Sequence, residues 1–377
     1  MIKKYWSSVL YCLKARFVRL HPLAGVTSLA DLGGGKKTYL FREEKRLRNQ
    51  VWECDQANAW QQTMNRAIQT REARSWVSRR DNASVLGRHG SVIIWKEGQG
   101  FLLSDVSYAF DSSGWNRVRH PDLQRQHLPG VERIRGEAVV ISCPYANNYF
   151  HFLFDSLPRL LDLDENSSCQ VILNDERSFQ REYYELLGLS LERRVPVSGS
   201  SHWKPDELIV PSIPLPELNM LGAVAPHACD FLRQIMDHSR VCAQSSPARK
   251  IWIGRRSGRN YANAEAVSEW LVRHSFIECF LEELSVMEQI VLFRDADVVA
   301  GVHGAGLANL VYCRPGTRVV EVLPEHWGWP FYRSLSAAVG LDYRCVSATA
   351  DEPLRDEDVR LTRIKFRLGD LAEALNE

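Results

Sequence analysis

Residues Val298 to Asn309 read Val-Val-Ala-Gly-Val-His-Gly-Ala-Gly-Leu-Ala-Asn and allow the chain few folds. They open as an apolar, β-branched run after Asp297, the pattern of a parallel strand buried on both faces. The run breaks at Gly301 to Gly306 and resumes as the helix-compatible segment Leu307 to Val311. A strand, a turn of small residues and a helix start leave backbone N–H groups facing one point, where an anion can sit. His303 lies inside that turn. Two readings follow: a phosphate or diphosphate cradle with a histidine donor, or a glycine turn that only lets a helix pack closely on its strand.

The flanking sequence favours an α/β fold. Strand-like and helix-like stretches alternate: Lys250–Gly254, Asn263–Val272, Phe276–Leu281, Ser285–Ala296, Val298–Val302, Arg318–Leu323, Trp329–Val339 and Tyr343–Val346. Such alternation predicts a parallel, doubly wound sheet. Ser285 with Glu288 three residues on predicts a capping box, and Asn263 is placed to cap its helix. A similar but looser series lies upstream: Glu137–Cys143, a helix from Asn147 to Leu161, Gln170–Leu173, Phe179–Leu187, Glu207–Pro211 and Ala228–Ser239. Ser91–Trp95 and Gly100–Leu103 read as a hairpin. Residues 242–250 are the best linker. At 377 residues two domains are expected. The divisions are a partly helical N-terminal extension over 1–90, with a helix over Glu53–Val77, α/β domains over 91–241 and 250–350, and a C-terminal helix over 355–377.

Composition narrows the function. With 45% hydrophobic and 25% charged residues the chain is globular. The net charge of +1 hides a basic segment, since residues 1–90 carry 17 Lys and Arg against 7 Asp and Glu. That charge suits an anionic membrane surface, with aromatic and cationic residues 1–20 as a peripheral contact, or it is simply a solvated face. Nucleic acid is disfavoured, because no reader motif accompanies the charge. No stretch is long and apolar enough to span a bilayer, and no signal-peptide pattern is present. The nine cysteines form no C-x-x-C pair and read as buried thiols rather than a disulfide or zinc framework.

Two constellations carry chemistry. His151, Asp155 and Arg159 recur every four residues on a helix otherwise built from Phe150, Leu153, Phe154 and Leu157, so they share one face. Pro158 should bend or end that helix. In the C-terminal series, ligands belong beyond the carboxyl ends of the strands. There stand the basic turn Arg255, Arg256 and Arg259, the turn His303, Gly304, Ala305 and Gly306, and Glu321. Guanidiniums facing a glycine-rich helix start make a convergent diphosphate site, and Glu321 is placed to accept two ribose hydroxyls. No G-x-G-x-x-G follows a first strand, which disfavours a dinucleotide redox site.

Asn148-Tyr-Phe-His-Phe-Leu-Phe-Asp-Ser-Leu-Pro-Arg159, then Ile253-Gly-Arg-Arg-Ser-Gly-Arg259 with Asn263, then Gly301-Val-His-Gly-Ala-Gly-Leu-Ala-Asn309, then Val320-Glu-Val-Leu-Pro324 together resemble glycosyltransferase family 61. The resemblance spans roughly residues 135–345 in the family's order and leaves residues 1–90 outside. It implies a GT-B-like fold, two Rossmann-like domains facing across a cleft, the N-terminal one on the acceptor side and the C-terminal one binding a nucleotide sugar. It also implies inverting transfer from a nucleotide-diphosphate sugar to a saccharide or lipid-linked saccharide acceptor, with no cofactor and no metal. His151 or Asp155 would be the base, His151 first, since imidazole changes charge near neutral pH. Arg255, Arg256, Arg259 and the His303–Gly306 turn would hold the departing diphosphate, and Glu321 the donor ribose. Asn148 and Tyr149 would lie near the acceptor, with Arg159, Asn263 and Asn309 supporting. The branch implied is the bacterial one of capsule and lipopolysaccharide synthesis, cytoplasmic and peripheral on the inner membrane. The rival readings are a catalytically silent nucleotide-sugar or polysaccharide-binding protein of an export complex, and a phosphate-ester hydrolase using His303.

Overall fold

The structure, a computed structural model, describes residues 23–27, 37–40, 75–107, 120–162, 167–214, 223–237, 245–256, 261–325, 330–351 and 363–376. The N-terminal contact over residues 1–20, Arg259 and most of the expected Glu53–Val77 helix lie outside them. No helix among the described residues is long and apolar enough to cross a membrane.

The C-terminal half follows its hydrophobic periodicity closely. Strands β11 (Lys250–Ile253), β12 (Ile277–Cys279), β13 (Val298–Val302), β14 (Arg318–Pro324) and β15 (Asp342–Ala350) pair in parallel, and β16 (Ile364–Lys365) closes the sheet antiparallel. Alternate side chains serve opposite faces, as the pleat demands. Ile251, Ile253, Val299 and Val319 join one apolar cluster, while Trp252, Ala300, Val320 and Val322 join another. The first face takes helices Val286–Asp295 and Phe331–Val339 and the 3₁₀ helix Ala305–Tyr312; the second takes Ala264–Arg273 and Leu368–Asn376. The Ser285 capping box forms, with Glu288 N–H on Ser285 Oγ at 3.3 Å and Ser285 N–H on Glu288 Oε2 at 2.8 Å. Helix Phe331–Val339 stops at Gly340, whose φ of +84° suits a residue without Cβ. Because β12 and β13 flank β11 on opposite sides, the connections diverge there. The crevice between the carboxyl ends of β11 and β13 is the sheet's switch point.

The N-terminal half is built differently from the expected doubly wound domain. A ten-stranded mixed sheet contains β1 (Leu23–Thr27), β2 (Lys37–Leu40), β3 (Ser75–Arg80), β4 (Ala83–Leu86), β5 (Ser91–Lys96), β6 (Gln99–Leu103), β7 (Glu132–Val140), β8 (Gln170–Leu173), β9 (Arg194–Pro196) and β10 (His202–Pro211). Only the run β10–β7–β8–β9 is a parallel series of α/β type. Ser75–Val77, expected at the end of a helix, open β3, and β3 and β4 continue the sheet upstream of the boundary drawn at residue 90. Strand Glu207–Pro211 is the second half of a longer β10, whose register shifts between Pro205 and Glu207. Lys204-Pro-Asp-Glu207 hides the alternation, and proline has no N–H for the ladder.

Between β7 and β8 runs the helical segment 149–162. It starts as an α-turn, widens to a π-turn over Phe152–Ser156 and finishes as a 3₁₀ helix over Leu157–Asp162. Pro158 supplies the reason, since it lacks the N–H and its ring crowds the carbonyl four residues back.

One apolar cluster runs through both halves, from Val139, Ile141 and Leu173 on the first sheet to Ile251 and Val299 on the second. Cys143, Cys169, Cys229 and Cys313 are buried in it, as expected of thiols used as small apolar groups. A buried polar network crosses this core. Tyr149 Oη donates to Asn309 Oδ1 at 2.7 Å and lies 2.9 Å from Tyr183 Oη, which in turn accepts from Tyr312 at 2.9 Å. Asn309 Nδ2 donates to Gln289 Oε1 at 2.9 Å. Asn309→Leu keeps the volume but strands the Tyr149 hydroxyl and the Gln289 carbonyl. Stability measured by urea unfolding should fall by about 1–3 kcal/mol.

Candidate functional site

The switch point of the second sheet holds the expected basic turn and glycine turn together. β11 ends at Ile253, in register with Gly301 of β13, and Gly254 N–H bonds Cys279 O at 2.9 Å, which fixes the exit of the chain toward Arg255. The Arg255 guanidinium lies across Gly304. A Cβ on that glycine would stand 2.4 Å from Arg255 Nη2 and 2.8 Å from its Cζ. Gly306 is equally constrained, since a Cβ would meet Leu281 Cδ1 at 2.8 Å. Glycine thus gives room at both positions: at 304 it admits the guanidinium, at 306 it lets the Ala305–Tyr312 helix settle on Leu281, and a Cβ at either would have to push the end of a side chain aside. Burial is the largest influence on Arg255 and pulls its pKa down, with Tyr332 and Glu282 acting the other way. A guanidinium stays charged regardless. Arg255 thus places a poorly hydrated cation beside the N–H groups that open a helix.

These residues wall a cleft of about 740 Å³ between the halves. Arg255, Arg256, Gly304, Ala305 and Gly306 line one side, and Asn148, Tyr149 and Phe179 the other. Arg256 is less available than Arg255. Its Nε and Nη2 both reach Glu283 Oε1, at 2.9 and 2.7 Å, and its guanidinium stacks 3.6 Å from the Phe280 ring centroid. It braces the 280–283 turn. Arg259 lies outside the described residues.

His303 sits behind the turn rather than on the cleft wall, 4% exposed. Its Nδ1 is hydrogen-bonded to Glu321 Oε1, and Glu321 Oε2 accepts from Tyr343 Oη at 2.6 Å. Beside a carboxylate Nδ1 is the donor, which leaves Nε2 as the working nitrogen. Glu321 is 1% exposed and both its oxygens are occupied. The expected ribose role is therefore corrected: an acid inside a strand and under helices is held by internal partners, and this one orients His303. Burial and Glu321 together push the Tyr343 phenol well up, so it remains a neutral donor.

The helix constellation is divided. His151 Nδ1 and Asp155 Oδ2 are 2.6 Å apart, with Asp155 buried and the His151 side chain 23% exposed. Arg159 is 1% exposed; its Nε and Nη2 donate to Pro211 O at 3.1 and 2.8 Å and its Nη1 to Ser142 O at 2.9 Å. It plugs the crevice between the carboxyl ends of β7 and β10 and does not face a phosphate. Asn148 caps the helix, its Oδ1 accepting from Phe150 N–H at 3.0 Å. Tyr149, expected near an acceptor, has its hydroxyl committed to Asn309 and Tyr183. Asn309 is a buried part of that network. Asn263 holds the N-cap position but makes no capping bond; its amide reaches Phe366 O at 3.3 Å, away from the cleft.

Sequence reasoning missed the rings that join the two histidines. Tyr332 lies 5.1 Å from the His303 ring and 5.9 Å from Phe150. Phe331 lies 4.6 Å from Phe150 and 6.3 Å from His151. Both rings open the helix after β14, and the signal was available: that helix starts at the carboxyl edge of a parallel sheet, where ligands bind. His151 stands beside the cleft rather than in it, at the far end of this ring series.

Among the described residues no three His, Cys, Asp or Glu side chains gather as a metal site would. Residues 149–320 match the sequence profile of the family described as Glycosyltransferase 61. A β-1,2-xylosyltransferase of Arabidopsis thaliana is 28% identical over 72 residues, which is 19% of this chain and 14% of that protein. The β-1,2-xylosyltransferase RCN11 of Oryza sativa subsp. japonica is 33% identical over 64 residues, 17% of this chain and 12% of that protein. The matched stretch therefore spans about one seventh or less of these curated relatives. The matched region takes in His151 and Asp155, the Arg255 turn and the His303 turn, and residues 149–320 of this chain are a glycosyltransferase family 61 domain.

Proposed function

We propose that this chain transfers a sugar from a nucleotide-diphosphate sugar to a hydroxyl group of a saccharide acceptor. The observation that carries the reading is Arg255 laid across Gly304 at the sheet's switch point, inside a cleft lined from both halves. Breaking a glycosyl–phosphate bond builds charge on the departing diphosphate. Arg255 and the helix-start N–H groups at Ala305 and Gly306 would receive that charge, with His303, held by Glu321 behind the turn, supporting them, and no metal would be needed. The acceptor hydroxyl must lose a proton as it attacks. His151, with Nδ1 engaged by Asp155, offers Nε2 for that proton. Attack from the His151 side on a donor whose diphosphate sits at Arg255 inverts the anomeric carbon. On this reading the two sheets are the halves of a GT-B-like pair, the first for the acceptor and the second for the donor.

We further infer that the acceptor belongs to a cell-surface polysaccharide such as capsule or lipopolysaccharide, the bacterial setting that the family resemblance implies. The basic N-terminal segment would hold the enzyme at the cytoplasmic face of the inner membrane, near a lipid-linked acceptor. The names of the plant relatives make a pentosyl donor the first to assay.

Arg255→Ala and Gly304→Ala should each weaken UDP binding, measured by calorimetry beside GDP, by roughly tenfold or more, the worth of a charged hydrogen bond. Gly304→Ala acts by displacing the guanidinium, so unchanged affinity in both variants would remove the diphosphate site. With the donor that binds best, His151→Asn should lower kcat by about 10² to 10⁴ while the donor Kd stays put. Full turnover by His151→Asn would remove His151 as the base, whereas donor binding without any turnover by wild type would favour the binding-protein alternative. Activity is expected to survive excess EDTA, and its abolition, with recovery on adding Mg²⁺ or Mn²⁺, would contradict the metal-independent mechanism.

A further inference from the structure

We propose that Tyr145 and Phe331 form, around His151, a stacking subsite for one sugar ring of the acceptor; the inference rests on the reading of His151 as the base. Single exposed apolar side chains are ordinary on a protein surface, so exposure alone decides nothing. Among the described residues the large exposed apolar side chains are Val131, Tyr145, Leu191, Val272 and Ile277, and Tyr145 is the aromatic one, 40% exposed. Its position is also fixed. It rides on the turn after β7, where Ala146 N–H bonds Cys143 O at 3.2 Å and Asn148 N–H bonds Tyr145 O at 2.8 Å. The residues on either side of that turn, Cys143 and Ala146, are wholly buried. An exposed ring on a rigid, anchored turn loses little conformational freedom when something stacks on it.

What would stack there follows from the surroundings. The Tyr145 ring centroid is 5.3 Å from that of His151 at a tilt of 39°, and Phe331 stands edge-on to His151 at 6.3 Å and 82°. The half-buried imidazole therefore neighbours both an exposed aromatic and a partly buried one. A pyranose or furanose offers a face of weakly positive C–H groups and a rim of hydroxyls. The face matches the negative face of an aromatic ring, and the rim then meets the histidine. The rings that would hold the sugar thus flank the group that would take its proton.

The experiment is ligand-observed saturation-transfer NMR on the full chain without donor. The probes are methyl β-D-xylopyranoside, methyl β-D-glucopyranoside, methyl β-D-galactopyranoside and methyl α-D-mannopyranoside at millimolar concentration. At least one should bind wild type, with saturation concentrated on the C–H protons of one sugar face. Tyr145→Phe should keep that affinity, and Tyr145→Leu, similar in bulk but without a π-face, should weaken it ~3- to 10-fold. The proposal is overturned if no glycoside binds wild type, if Tyr145→Leu binds as well as wild type, or if UDP displaces the glycoside, which would make the rings part of the donor site. No turnover is needed, so the outcome is independent of whether His151→Asn proves inactive.

Discussion

The hydrogen bond from Tyr149 to Asn309 sets the geometry on which the remaining site depends. It joins the first residue of the helical segment 149–162 to the helix that follows the glycine turn, across 160 positions of sequence. His151 is two residues beyond one end of this bond, and Gly306 is three residues before the other. Tyr183, Tyr312 and Gln289 complete the network. Burial raises the pKa of all three tyrosines, so they act as neutral donors and acceptors. A fully satisfied buried network specifies one arrangement, because each alternative packing would leave a polar group unpaired in a medium that penalises it. The same apolar cluster that surrounds the network runs from the first sheet into the second. The two halves are joined by a core, and the cleft is the part of their boundary that the core leaves open.

Local signals carried most of the C-terminal sheet and part of the site. The β-branched strands, the Ser285 capping box and the closeness of the Arg255 and His303 turns all follow from periodicity, cap chemistry and the switch-point rule. The His–Asp–Arg row was half right for an identifiable reason. A four-residue recurrence keeps a row on one face only while the helix has 3.6 residues per turn. The π-turn at Phe152–Ser156 breaks that period. Arg159 is thereby carried from the row into the β7–β10 crevice, and Pro158 was the sign that the period would fail. Glu321 misled for another reason. Its place in a ligand-binding edge suggested a ribose, but Val319, also on that strand face, enters the cluster under the helices. A carboxylate there needs internal partners, and they come from His303 and Tyr343, the latter beyond any local pattern. The N-terminal sheet was the least legible part, because antiparallel strands and a proline-interrupted β10 show little of the alternation that made the second sheet plain.

His151 and His303 each pair Nδ1 with a carboxylate, and their settings separate their chemistry. Asp155 holds a histidine whose side chain is 23% exposed, beside an exposed tyrosine. Glu321 holds a histidine that is 4% exposed and sits behind a glycine turn already occupied by a guanidinium. A proton acceptor for an incoming hydroxyl needs the first setting, because the hydroxyl must arrive from solvent on a large molecule. A group answering charge on a departing diphosphate gains from the second, where low polarity strengthens each charge–dipole contact.

The rings of Phe150, Phe331 and Tyr332 give this division a structural basis. They run from His151 to His303 and make the wall between the two settings apolar. Apart from the Tyr332 hydroxyl, these rings offer water no hydrogen-bonding sites between the points where the proposed proton removal and leaving-group departure take place. On the proposed mechanism that matters, because water is the small competing acceptor for an activated sugar, and a site for polysaccharide acceptors must disfavour it. The position of Phe331 and Tyr332 at the start of one helix ties that exclusion to the edge of the second sheet.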